Sequence, residues 1–136
     1  MTALENPNIP ITVISEKEAQ LDLTNPKDIE TYIGLESLRR QFDPELAQSI
    51  AWAESRFIPD AKNKIGTASG VYQFLDSTFK RYCIEIYQLT DTMKDKNDVK
   101  MQVQCALNIM TTDEKGINHW LASKDNWNKY KPASAG

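Results

Sequence analysis

The sequence predicts a mainly α-helical fold, on three observations. Two segments open with a capping residue followed by proline, Asn25-Pro26 and Asp43-Pro44. Apolar residues recur at helical spacing after each start, and neither a convincing strand pattern nor an internal repeat occurs in the 136 residues. That length suits one ordinary domain around one core.

Residues 1–24, with Pro7, Pro10 and scattered charges, show neither helical nor strand periodicity and are expected to form an N-terminal arm or linker. The domain is expected over 25–132, with a short tail at 133–136. The first helix starts at Asn25-Pro26 and carries the stripe Ile29, Tyr32, Ile33 and Leu38 up to Phe42. The second starts at Asp43-Pro44, carries Leu46, Ala47, Ile50 and Ala53, and stops between Ser55 and Pro59.

From Ile58 to Phe74 the chain holds Pro59, Gly66, Gly70 and small polar residues, which suits a long surface loop with at most a little extended structure. Asp76 is expected to cap a third helix with the stripe Phe79, Tyr82, Cys83 and Ile86. Asn97 or Asp98 is expected to cap a fourth through Val99, Val103, Ala106 and Met110. A final segment, Gly116 to Tyr130, is rich in aromatic residues.

A net charge of −3 argues against nucleic acid as a partner and gives no broad attraction to an anionic polymer, so any grip on an acidic substrate has to be local. No apolar run is long enough to span a membrane. The N-terminus lacks the basic-then-apolar pattern of a secretory signal, which leaves the compartment open, since a mature chain or a phage protein released by lysis would look the same. Cys83 and Cys105, with His119 as the sole further soft ligand, are too few for a zinc cluster, and no metal or cofactor is expected. The two cysteines either form one disulfide or remain as buried thiols on neighbouring helices.

Glu54 lies four residues after Ile50, about 40° round the helix from a core position and in the last turn. There the negative end of the helix dipole and partial burial both disfavour the carboxylate, raising its pKa toward the working range of a general acid. From helix position alone, Glu54 reads first as an exposed glutamate closing a helix.

The text around it changes the weighing. AESRFIPDA at 53–61 is followed by TASGVYQFLDSTF at 67–79. This resembles the lytic transglycosylase domain of the lysozyme-like superfamily, whose pattern is matched by Glu54, Ser55, Phe57, Pro59 and Ala61, then Ala68, Gly70, Gln73 and Thr78. The resemblance is good over roughly residues 40–80 and rests on helical character alone in the flanks. It implies a small lysozyme-like helical domain with a long loop after the catalytic helix, acting as a monomer on peptidoglycan in the cell envelope, outside the cell, or as a phage product.

The same resemblance implies that Glu54 is the acid/base cleaving the bond between N-acetylmuramic acid and N-acetylglucosamine to leave a 1,6-anhydro end. Gln73 is expected to face the cleft and hydrogen-bond an amino sugar, or else to brace the loop. Tyr72 is expected to pack against a sugar ring, with Ser69 and Gly70 of the turn also on the substrate side. Thr78 is read as satisfying backbone donors in a first helical turn. Trp52, Trp120 and Trp127 either line a sugar groove or belong to the core. His119 is read as structural or exposed.

Two departures stand out. Lys64 occupies a position where many relatives carry a serine, and the late alanine-tyrosine-asparagine stretch of the family is missing: Ala106-Leu107-Asn108 comes too early and lacks the tyrosine. A hydrolytic lysozyme usually needs a second carboxylate, and the nearest in sequence, Asp60 in a loop and Asp76 at a cap, are poor partners. The transglycosylase route is therefore favoured over a hydrolytic muramidase. A non-catalytic peptidoglycan-binding module on the same scaffold is the reading from another functional class.

Overall fold

Both cap-then-proline signals start helices, for the reason expected of them. In a computed structural model, which describes residues 9–112 and 116–132, the Asn25 side chain accepts from the Lys27 amide at 2.9 Å and opens α2 (Pro26–Arg39). Asp43 Oδ1 accepts from the amides of Glu45 and Leu46 at 3.0 and 3.3 Å and opens α3 (Pro44–Ser55). Each cap satisfies donors that the helix cannot, and each proline occupies a position whose amide needs no partner. α2 ends at Arg39, before the expected Phe42: Gln41 turns left-handed and the Phe42 amide donates back to the Ser37 carbonyl at 2.9 Å.

One element departs from the expected N-terminal arm. Residues 11–18 form a helix, α1 (Ile11–Glu18), while residues 1–8 and the expected tail at 133–136 lie outside the described residues. Ile14 is the buried residue of α1. Polar contacts do the rest: Arg39 donates to the Ser15 hydroxyl at 3.2 Å and pairs with Glu18 at 3.1 Å. A helix held by one apolar anchor and ion pairs leaves no periodic stripe to read.

The same arginine face holds a buried charge cluster. Glu36, nearly inaccessible, pairs with Arg39 and Arg40 at 2.9 Å each. Burial alone would raise its carboxyl, but hydrogen bonds from Glu18, Gln104, Arg39 and Arg40 outweigh it and hold it down at about 2. Glu18 moves the other way: burial, then its bond to Glu36, lifts it to about 7. As a carboxylate, its buried Oε2 has no hydrogen-bond donor among the described residues. A proton on Glu18 supplies the hydrogen that Glu36 accepts.

Beyond α3 the chain runs as the expected loop, with isolated bridges of Ser69 to Lys62 and Phe74 and no strand among the described residues. α4 (Asp76–Thr78) leads directly into a π-helical stretch, Phe79–Ile86. Asp76 is not the cap expected of it: Leu75 holds that position, the Asp76 amide donates to the Thr67 hydroxyl at 2.9 Å, and the Asp76 carboxylate pairs with Lys96 at 2.8 Å. A short 3-10 turn, Met93–Asp95, precedes α5 (Val99–Thr112), where Asp98 Oδ2 accepts from the Met101 amide at 3.0 Å. A 3-10 segment, Gly116–Ser123, and α6 (Lys124–Trp127) complete the order.

Ile29 and Ile33 of α2, Ala47, Ile50 and Ala51 of α3, Phe79, and Val103 and Leu107 of α5 meet in one core that also takes in Val71, Tyr72 and Phe74 from the loop and Trp120 from the final segment. Cys83 and Cys105 are joined as a disulfide across 22 residues, tying the π-helical stretch to α5. Of the readings open for the tryptophans, Trp120 is buried core, Trp52 is half-buried beneath the Arg56 guanidinium at 3.7 Å, and Trp127 donates to the Ser123 hydroxyl at 3.0 Å.

Candidate active site

Glu54 sits one residue before the end of α3, and the chain beyond turns away through two left-handed residues, Arg56 and Phe57. Those two conformations strain side-chain-bearing residues and are held by packing: Phe57 is buried edge-on against Tyr130, and Arg56 donates to the Trp52 carbonyl at 2.7 Å. The Ser55 hydroxyl donates to the Val71 carbonyl at 2.7 Å, which fastens the end of α3 to the loop. The motif residues beside Glu54 thus act by fixing where the helix ends.

Glu54 is half-buried on one wall of a cleft of about 130 Å³. The loop and α4 contribute Gln73, Phe74, Leu75 and Thr78 to its lining, and the final segment contributes His119, Trp120 and Ala122. Burial pushes the Glu54 carboxyl above its ordinary range, and the hydroxyl of Ser123 pulls it part of the way back by hydrogen bonding. Ser123 also accepts from Trp127 and donates to the Trp120 carbonyl at 3.0 Å, so its single hydrogen is shared between that carbonyl and the carboxyl.

Gln73 is in the cleft with Glu54, and it also braces the loop. It holds a left-handed conformation, and its Nε2 donates to the carbonyls of Ala61 and Gly70, each at 2.9 Å. With both amide hydrogens committed, its carbonyl oxygen is what remains to accept from a ligand.

The other expected substrate contacts are not there. Tyr72 is wholly buried: its hydroxyl donates to the Ala47 carbonyl at 2.8 Å, its ring packs edge-on to Trp120, and burial pushes its pKa up, so it cannot face a sugar. Ser69 is buried away from Glu54, donating to Asn97 at 2.7 Å and accepting from Lys96 at 3.0 Å. Gly70, at φ +88°, makes room rather than contact: a Cβ there would sit 2.3 Å from Gln102 Nε2. Thr78 lines the cleft and does not cap a helix with its side chain.

The sequence pattern of the transglycosylase SLT domain matches residues 31–130. The chain belongs to that family. No curated protein and no solved structure matches the chain. The match takes in α3, the loop, α5 and the final aromatic segment, and leaves α1 and the first turn of α2 outside it. Membership places the chain in peptidoglycan-related, lysozyme-like chemistry on a mainly helical domain. No helix among the described residues is long and apolar enough to cross a membrane.

Sequence reasoning did not single out Ser123, whose hydroxyl meets the Glu54 carboxyl; Trp120, left open there between groove and core, and His119, read as structural or exposed, both line the cleft. They answer what stands near Glu54 in place of the family's late tyrosine stretch. Ala106 and Leu107 are buried in α5, and the segment Gly116–Ser123 instead brings a hydroxyl to the carboxyl. Trp120 fixes that segment, its indole donating to the Tyr72 carbonyl at 2.9 Å. His119 stacks edge-on against Tyr82 at 5.1 Å between ring centres. The Gly-Ile-Asn-His-Trp-Leu run carries no spacing that marks it as a cleft lining.

Proposed function

We propose that the chain is a lytic transglycosylase in which Glu54 cleaves the glycosidic bond between N-acetylmuramic acid and N-acetylglucosamine. The observation that carries this is a desolvated Glu54 standing, among the described residues, as the one carboxylate that lines its cleft. A raised pKa keeps it protonated at a pH where an exposed glutamate is ionised, as a general acid requires. It donates that proton to the glycosidic oxygen as the bond to the muramyl C1 breaks. The resulting carboxylate takes the proton of the muramyl 6-hydroxyl as that oxygen closes on C1, which leaves a 1,6-anhydro end and returns Glu54 to its acid form.

The route needs no activated water and so no second carboxylate. Both sequence candidates for one lie on a neighbouring cavity, and Asp76 is already engaged by Lys96. The Gln73 carbonyl oxygen supplies an acceptor for a substrate N–H or O–H. The Ser123 hydroxyl stabilises the carboxylate between the two proton transfers, when it carries charge.

The test is a sacculus gel overlay with wild type and Glu54→Gln. Clearing by wild type and none by a folded Glu54→Gln is expected. Sacculus binding without clearing by either protein would replace this reading with that of a non-catalytic module.

A further inference from the structure

A second cavity, of about 450 Å³, lies beside the Glu54 cleft between residues 60–69 and the 93–97 segment. The two depressions share a wall. Gln73 of the cleft donates to the Ala61 carbonyl, whose neighbours Asp60 and Lys62 line the cavity, and Leu75 of the cleft is followed by Asp76 of the cavity. A polymer lying across Gln73 and Leu75 would therefore carry any branch toward it.

Its lining carries cations where the Glu54 cleft, among the described residues, has no lysine or arginine. Lys96, 6% exposed, forms the floor, and its three ammonium hydrogens are matched by Asp76 at 2.8 Å, the Thr67 carbonyl at 2.6 Å and the Ser69 hydroxyl at 3.0 Å. That network is saturated and holds the cavity's shape. Lys62, Lys94 and Asp60 are exposed on its walls and form no ion pair among the described residues. In a chain of net charge −3, this gathering of lysines is a local exception.

Neutral amino sugars make no use of such groups. In peptidoglycan, where the lactyl group is closed as an amide, the formal charges belong to the peptide: several carboxylates and the amine of its diamino acid. We infer that this cavity binds the stem peptide of the substrate, Lys62 and Lys94 taking its carboxylates and Asp60 its ammonium. The inference rests on the proposed function and specifies which form of the polymer the chain prefers.

The test is an NMR titration of the wild-type chain with N-acetylglucosaminyl-N-acetylmuramyl tetrapeptide, against the same disaccharide without peptide and with its lactyl carboxyl capped as the methylamide. Two exposed ion pairs, each contributing a few-fold, predict about tenfold tighter binding of the peptide-bearing ligand. Amide shifts are expected at 60–67 and 93–97 besides those near Glu54, and the preference should fade at high salt. In Lys62→Ala/Lys94→Ala, the affinity for the peptide-bearing ligand should fall to that of the bare disaccharide. Equal affinities in wild type, with shifts confined to residues 54, 73 and 119–123, would overturn this inference and leave the proposed function standing. No binding of either ligand, with no cleavage of sacculi, would overturn both.

Discussion

Replacing Gly70 by alanine tests how the motif loop is built. At φ +88° an alanine is strained by about 1 kcal/mol. Its Cβ would also lie 2.3 Å from Nε2 and 2.5 Å from Cδ of Gln102, a residue with no exposed surface. Gln102 cannot yield cheaply. Its Nε2 donates to the carbonyls of Ser69 and Lys96 at 3.1 and 2.7 Å, and its Oε1 accepts from the Tyr72 amide at 2.9 Å. Losing three buried hydrogen bonds at about 1 kcal/mol each, with the strain, brings Gly70→Ala to about 4 kcal/mol. At an m-value of about 2 kcal/mol/M, the urea midpoint should fall by about 2 M.

A double-mutant cycle separates clash from strain. Gln102→Ala alone should cost about 3 to 4 kcal/mol, and adding Gly70→Ala to it about 1 more, because the obstructing side chain is gone. The coupling is then about 3 kcal/mol. Additive costs, or a Gly70→Ala penalty near 1 kcal/mol in the wild-type background, would refute the packing account and return Gly70 to the substrate-facing role its motif position suggested.

Other outcomes follow from the same geometry. Removing the disulfide as Cys83→Ala/Cys105→Ala should cost about 3 kcal/mol for its 22-residue separation and lower Tm by about 10 °C in calorimetry. Glu18 has a folded-state pKa above its unfolded one, so its contribution is complete below 4.5 and lost as pH rises through about 7. The protection factors of the α1 amides, with the intrinsic pH dependence of exchange divided out, should therefore fall across that window in wild type and not in Glu18→Gln, whose amide can still donate to Glu36. Glu54 must be protonated to act, so cleavage should fall as pH rises through its raised pKa. Ser123→Ala, by removing the interaction that lowers that pKa, should move this alkaline limb to higher pH in a rate profile.

The helix framework was legible because its signals are local. Asn25 and Asp43 cap within three residues of themselves, and the stripes of α2 and α5 follow from helical period alone. Glu54 was legible for the same reason, with a flanking motif to single it out. Tyr72 and Ser69 were not, because whether a loop residue faces solvent or core depends on distant partners: Ala47 and Trp120 for one, Lys96 and Asn97 for the other. α1 escaped because a single buried isoleucine leaves no period. Ser123 escaped because its value lies in proximity to a carboxylate 69 residues earlier in the chain.

The central claim, that Glu54 works alone by substrate-assisted ring closure, is tested most directly by digesting purified sacculi in ¹⁸O-labelled water and weighing the new muramyl ends. The account predicts ends one water lighter than reducing ends, free of ¹⁸O, and absent from a Glu54→Gln digest. Reducing ends carrying one ¹⁸O would contradict it and identify a hydrolase, and undiminished product from Glu54→Gln would remove Glu54 from the chemistry.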